Sequence, residues 1–256
     1  IGSHDNTWLT AVDFVSDTAA VSVGYNGVIL KTSGGLSGWT NINSGTAEHL
    51  RDVWMFSSGS GLAVGGNGTI IKTPDGAATW ATISVTTSST LRAIYFTDDN
   101  IGFVAGDNGS IFRTTDGGNT WLPVNSPVNT ELFAITFPDA LTGYITGNDG
   151  TILKTTDGGN VWNIQQSPAN TLLTGVSCAD ADNCYISGAS GVLLKTENGG
   201  LVYNDEIATN NNLRLLYNRQ ADEINVISDG INTTATLVVY DVTGREVLVK
   251  KLFLSN

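Results

Sequence analysis

The sequence predicts an all-β fold: a β-propeller of four-stranded blades followed by a small β-sandwich-like segment. Three observations carry this. Gly27, Gly68, Gly109, Gly150 and Gly191 recur every 41 residues without a gap, and the sequence around them repeats as well. Trp39, Trp80, Trp121 and Trp162 keep the same spacing, with Tyr203 at the fifth position. Each unit also holds four short runs of strand-like sequence separated by turn residues. A gapless period of this length means one supersecondary unit stacked on copies of itself, and four antiparallel strands per unit describe a propeller blade.

The third unit shows the elements in order. Residues 91–96, 101–105, 110–114 and 120–124 alternate apolar with small or polar residues over four to six positions. The second and third runs are joined by Asn26-Gly27, Asn67-Gly68, Asn108-Gly109, Asp149-Gly150 or Ser190-Gly191. Such pairs favour a type I′ hairpin turn, which needs positive φ at two consecutive residues. The third and fourth runs are joined by Thr73-Pro-Asp75-Gly-Ala-Ala-Thr79-Trp80, Thr114-Thr-Asp116-Gly-Gly-Asn-Thr120-Trp121 and Thr155-Thr-Asp157-Gly-Gly-Asn-Val161-Trp162. Here Asp75, Asp116 and Asp157 are expected to accept backbone N–H groups inside the turn, with each Trp packed into its blade. The copy at 32–39 lacks the Asp, and the copy at 196–203 lacks both Asp and Trp.

This third-to-fourth-strand link resembles the Asp-box, or BNR, repeat of sialidase-like propellers. The longer pattern, Gly-x-Asn-Gly-x-Ile-x-Lys-Thr-Thr-Asp-Gly-Gly-x-Thr-Trp, resembles the propeller family that includes the photosystem II stability and assembly factor. The likeness runs over about residues 9–203, so the propeller domain is placed at 1–203. Ile1 aligns with Ile42, Ile83 and Val124, a fourth-strand position. Two arrangements follow: an N-terminal strand completing the last of five blades, or a larger ring with blades preceding the chain.

The period stops at Tyr203. Residues 204–212 are polar and Asn-rich, as in a linker, and 213–256 read as a separate β module with strands near 213–217, 224–227, 235–240 and 246–250. Leu213-Arg-Leu-Leu-Tyr217-Asn218, Ala221-Asp-Glu-Ile-Asn-Val226 and Val239-Tyr-Asp-Val-Thr-Gly-Arg-Glu-Val247 resemble the type A C-terminal sorting domain of type IX secretion cargo. Asn218-Arg219-Gln220 departs from that family's Pro-Asn-Pro, and the chain ends short of its final strands. The resemblance implies the bacterial surface or medium as location and the secretion machinery as a partner.

The net charge of −12 argues against nucleic acid, since phosphate binding needs clustered Lys and Arg. No apolar run is long enough to span a membrane, about 18 residues. Cys178 and Cys184 flank a predicted hairpin turn and face each other across paired strands. A disulfide is expected there, with two reduced thiols as the alternative; a metal would need two further ligands. A disulfide agrees with an oxidising compartment. No cofactor is implied.

Function is placed on the face carrying the connections 43–51, 84–92, 125–133 and 166–174 together with the Asn-Gly turns. Arg51 and Arg92 share one register in adjacent repeats, with Glu48, His49 and Glu131 close in sequence. The arginines are expected to form an anion- or carboxylate-binding patch, since guanidinium suits bidentate capture; the plainer reading is that they solvate strand ends. The row Lys31, Lys72, Arg113, Lys154 and Lys195 is present in every blade and is read as structural. Resemblance to sialidases would require three arginines on one substrate carboxylate, but of the propeller's three, Arg51, Arg92 and Arg113, the last lies outside the expected site. A xyloglucanase-like enzyme would need two opposed carboxylates, for which Glu48 and Glu131 are the candidates. The sequence therefore favours a non-catalytic propeller binding a glycan or a protein surface. A glycoside hydrolase and an assembly-factor scaffold are the alternatives.

Overall fold

The computed structural model describes residues 8–32 and 38–197, and beyond them the strands at 202–203, 213–218, 223–228, 233–240 and 246–254. Residues 1–7, 33–37, 198–201, 204–212 and 241–245, among them the positions read above as the N-terminal strand, the linker and the last turn, lie outside the described residues, as do the side chains of the C-terminal module. The chain divides into two compact units, Ile1–Tyr203 and Asn204–Asn256.

The first unit is five antiparallel four-stranded sheets, each meandering in chain order. Blade 1 holds β1 Leu9–Ser16, β2 Ala19–Gly24, β3 Ile29–Lys31 and β4 Thr40–Ile42. Blade 2 holds β5 Leu50–Met55, β6 Gly61–Gly65, β7 Ile70–Thr73 and β8 Ala81–Ile83. Blade 3 holds β9 Leu91–Phe96, β10 Gly102–Gly106, β11 Ile111–Thr114 and β12 Leu122–Val124. Blade 4 holds β13 Leu132–Thr136, β14 Gly143–Gly147, β15 Ile152–Thr155 and β16 Asn163–Gln165. Blade 5 holds β17 Leu173–Cys178, β18 Asn183–Gly188, β19 Leu193–Glu197 and β20 Val202–Tyr203. The described residues contain no α-helix. Trp80, Trp121 and Trp162 precede the fourth strands rather than open them. Blade 5 has a fourth strand of its own at 202–203.

The second unit consists of two hairpins, β21 Leu213–Asn218 with β22 Glu223–Ser228, and β23 Thr233–Tyr240 with β24 Glu246–Leu254.

The hairpin turns follow from their residues. Asn108 has φ 57° and Gly109 φ 65°, two consecutive left-handed residues as a type I′ geometry needs. A Cβ on Gly109 would lie 2.0 Å from the Val128 carbonyl oxygen. Only glycine lets the turn close against the next connection, where the Gly109 N–H donates to the Thr130 carbonyl at 2.7 Å.

Core positions recur with the period because each blade has two apolar faces. One face offers Phe103, Ala105 and Ile111 of blade 3 to Leu132, Ile135, Phe137, Ile145 and Leu153 of blade 4. The same registers join blades 1 and 2, 2 and 3, and 4 and 5. At the two ends of the series these positions are open. Leu9, Val12 and Phe14 of blade 1 are exposed, as are Tyr185 and Leu193 of blade 5. Tyr185 is 51% exposed whereas Tyr144, one repeat earlier, is 2% exposed.

Carboxylates stitch the backbone together. Asp116 Oδ1 accepts the N–H groups of Asn119 (3.0 Å) and Thr120 (2.9 Å) and the Thr114 hydroxyl (2.8 Å), and Oδ2 accepts the Thr120 hydroxyl (2.7 Å). Asp75 and Asp157 sit in the same cradle. Donation by Thr79 and Thr120 respectively holds the Asp75 and Asp116 carboxyls down at about 2. Asp52 works between blades, its Oδ2 accepting the Ile94 N–H at 2.9 Å. Burial outweighs its hydrogen bonds and pushes it up to about 6.

The two shifts give opposite pH dependences. The low values at Asp75 and Asp116 add stability that is complete above the unfolded value of 3.8 and is lost as pH falls towards 2. The raised value at Asp52 favours its protonated form in the fold, so stability increases as pH falls from above 6 to about 4. Urea midpoints should therefore rise from pH 7 to pH 5 and fall below pH 4. Asp52→Asn should flatten the first limb and leave the second; an unaltered first limb would show that another group causes it.

Cys178 and Cys184 are paired across β17 and β18 and form a disulfide, with Cα atoms 4.0 Å apart. Of the three box tryptophans, Trp121 and Trp162 are buried, while Trp80 is only partly so. Met55 stands in blade 2 where Phe96 and Phe137 meet the other two indoles edge-on, so Trp80 has no ring partner among the described residues.

Candidate functional site

The loop face is built by docking each second-to-third-strand turn on a neighbouring connection. Tyr25, Gly66, Asp107, Asn148 and Ala189 open these turns, and their N–H groups donate to the carbonyls of Trp8, His49, Thr90, Glu131 and Leu172 at 2.8–2.9 Å. The residue opening the turn thus stands beside the residue two before the Arg51/Arg92 register. What that residue is decides the fate of each arginine.

In blade 3 it is Asp107, and Arg92 Nε is ion-paired with its carboxylate. The Arg92 guanidinium also lies 4.7 Å from the Phe133 ring centre of blade 4. In blade 2 it is Gly66, which offers no carboxylate. Arg51 instead lies over Tyr25 of blade 1, 5.1 Å from the ring centre, with Nη1 donating to the Tyr25 hydroxyl at 3.3 Å. The Arg51 Nε is buried without a hydrogen-bond partner. Tyr25 stacks on His49 at 4.3 Å, and exposed Trp8 lies 5.7 Å from Tyr25. His49 Nδ1 accepts the Asn26 N–H at 2.9 Å, which fixes the ring.

The structure therefore joins His49 and Arg51 through Tyr25 and holds Arg92 in a separate cluster. Glu48 lies beside Gly66, where an added Cβ would stand 3.0 Å from its Oε2. Glu131 accepts the Asn148 amide at 3.3 Å, in the connection between blades 3 and 4. The two glutamates sit two repeats apart, each against its own turn. Sequence reasoning missed Trp8, Tyr25, Asp107 and Phe133. For Tyr25 and Asp107 the one available signal was variation: position 25/66/107/148/189 changes chemistry in every copy although the glycines at 24/65/106/147/188 and 27/68/109/150/191 are constant.

The arrangement can hold an acceptor group against Arg51 with an aromatic floor beside it, an environment suited to cation–π and charge-assisted contacts. Among the described residues no group of three His, Cys, Asp or Glu side chains is placed to hold a metal, and no helix is long and apolar enough to cross a membrane.

The model of the photosynthesis system II assembly factor YCF48 family matches residues 77–131 and 121–214, together more than half of the chain. A YCF48 structure bound to D1 peptide is 18% identical over 76% of this chain and 79% of that one, with a TM-score of 0.43. The GH74 enzyme of Niastella koreensis is 17% identical over 77% of this chain and 37% of its own, with a TM-score of 0.62. An ancestral GH74 enzyme is 13% identical over 96% of this chain and 38% of its own, with a TM-score of 0.63. These two likenesses are of fold. No curated protein matches the chain by sequence.

Proposed function

Because the chain belongs to the photosynthesis system II assembly factor YCF48 family, we propose that it is a non-catalytic binding propeller that holds a protein ligand on its loop face. The site is the cluster of Trp8, Tyr25, His49 and Arg51. The observation that carries this reading is the state of Arg51. It is a cation without a carboxylate partner among the described residues, laid on Tyr25 beside an exposed tryptophan. Buried or half-buried arginine beside aromatic rings is a combination enriched where proteins meet proteins. Arg92 contributes less, because Asp107 already neutralises it. A rigid blade stack presents such a cluster at low ordering cost.

An assembly-factor role fits this reading, since such a factor acts by holding another protein. A secreted or cell-surface location is part of the proposal, supported by the Cys178–Cys184 bond and the sorting-like sequence of the C-terminal module. Glycoside hydrolysis has weaker support. Glu48 and Glu131 stand against Gly66 and Asn148 in separate connections, whereas that chemistry asks for two carboxyls across one bond.

Peptide and glycan arrays probed with the labelled chain test the proposal. Peptides should be retained, and Arg51→Glu or Tyr25→Ala should weaken that binding by about tenfold or more. Binding unchanged by Arg51→Glu, or retention of glycans alone, would sink the protein-ligand reading. Turnover of chromogenic glycosides lost on Glu131→Gln would replace it with the hydrolase.

A further inference from the structure

At the outer rim, blades 3 and 4 enclose a cleft of ≈ 580 Å³ lined by Arg113, Leu122, Pro123, Asn160, Val161 and Trp162 among others. The junction one repeat earlier shows what is different here. Lys72, the register equivalent of Arg113, crosses from blade 2 to the Asp-box turn of blade 3. Its Nζ donates to the Gly117 carbonyl at 2.7 Å and to Asn119 Oδ1 at 2.8 Å. That bridge ties the two blades together along the rim.

Arg113 makes no such bridge among the described residues. Its guanidinium lies over Phe103 of its own blade, 5.8 Å from the ring centre, and its Nε is buried without an acceptor. Trp162, 3% exposed, lines the same cleft with its indole N–H also unpaired. The indole N–H is unpaired at Trp80 and Trp121 too, so it belongs to the repeat. The arginine is what sets this junction apart, being the one member of its row that is not a lysine. Buried donors without acceptors cost free energy. Both of these atoms are closed to solvent, so a ligand in the cleft would meet the outer guanidinium nitrogens of the half-buried Arg113.

The walls define the rest of the ligand. Leu122 and Val161 are exposed apolar side chains on either side of the cleft. None of the lining residues is acidic, although the chain carries 24 Asp and Glu against 12 Lys and Arg. We propose that this cleft binds a peptide carboxylate with an adjoining aliphatic side chain. The carboxylate takes Arg113, and the aliphatic group lies between Leu122 and Val161. A peptide is favoured over an acidic sugar because Leu122, Val124 and Val161 give an aliphatic side beside the Thr, Ser and Asn residues, and the one aromatic lining the cleft, Trp162, is buried and offers no platform for a sugar ring. This site is separate from the Arg51 cluster.

The test follows the side-chain ¹H–¹⁵N signals of Arg113 Nε and Trp162 Nε1 in the full chain, titrated with N-acetyl-leucine, N-acetyl-leucinamide and glucuronate. N-acetyl-leucine should shift both signals saturably, and the amide should bind about tenfold more weakly or not at all, having lost the charge-assisted bond. Arg113→Lys should abolish the Trp162 shift while leaving the fold intact, because lysine is the residue of the other four blades. Arg51→Glu should leave both signals responding as before. The proposal fails if neither signal saturates, if acid and amide bind alike, if Arg113→Lys binds normally, if Arg51→Glu abolishes the response, or if glucuronate binds where N-acetyl-leucine does not.

Discussion

Phe96→Asp is expected to cost more than about 4 kcal/mol, enough to unfold the domain, while Phe14→Asp changes stability by less than about 0.5 kcal/mol. The two phenylalanines occupy the same point of the repeat, two periods apart. Phe96 is 4% exposed and touches Phe56 edge-on at 4.7 Å and Trp121 edge-on at 5.9 Å. Truncating a ring so placed costs about 3–5 kcal/mol, and a carboxylate left there without a partner adds to that. Phe14 is 69% exposed, since among the described residues of the first unit no blade packs on that side of blade 1. Urea unfolding of both variants, followed by circular dichroism, decides the matter. Comparable losses at the two positions would mean that the blade 1 face is covered in solution.

That contrast also marks what could be read from the sequence. Strands and turns were legible because they depend on neighbours in the chain: Asn108-Gly109 needs two left-handed residues, and the alternation of β9 to β12 places its own faces. The Asp-box carboxylates were legible for the same reason, since Thr114, Asn119 and Thr120 lie within four residues of Asp116. Exposure of Phe14 was not, because it depends on what lies across the sheet. The partners of Arg51 and Arg92 were not legible either. Their equal register suggested one shared patch, but Asp107 captures Arg92 whereas Gly66 leaves Arg51 to Tyr25 of the preceding blade. Those deciding residues stand 15 to 26 positions away from the arginines in sequence, on turns whose docking only the fold supplies.

Trp162→Ala is expected to destabilise the propeller by about 3–5 kcal/mol, whereas Trp162→Phe should cost less than about 1.5 kcal/mol. The indole is buried where blades 3 and 4 meet, edge-on to Phe137 at 5.7 Å and to Phe103 at 6.4 Å, with interplanar angles of 83° for both. Those rings come from both blades, so deleting the indole opens a cavity in the interface rather than at a yielding surface. Phenylalanine keeps most of the ring contact, and the only polar group it removes is an N–H that has no acceptor among the described residues. The contrast between the two variants therefore isolates the cause. If Trp162→Phe loses as much as Trp162→Ala in urea unfolding, the N–H is hydrogen-bonded in solution and the apolar account of this junction is wrong. If Trp80→Ala costs as much as Trp162→Ala, the ring partners that Met55 denies to Trp80 contribute nothing. The expected result is a smaller loss at Trp80, since its indole is only partly buried and has less packing to give up.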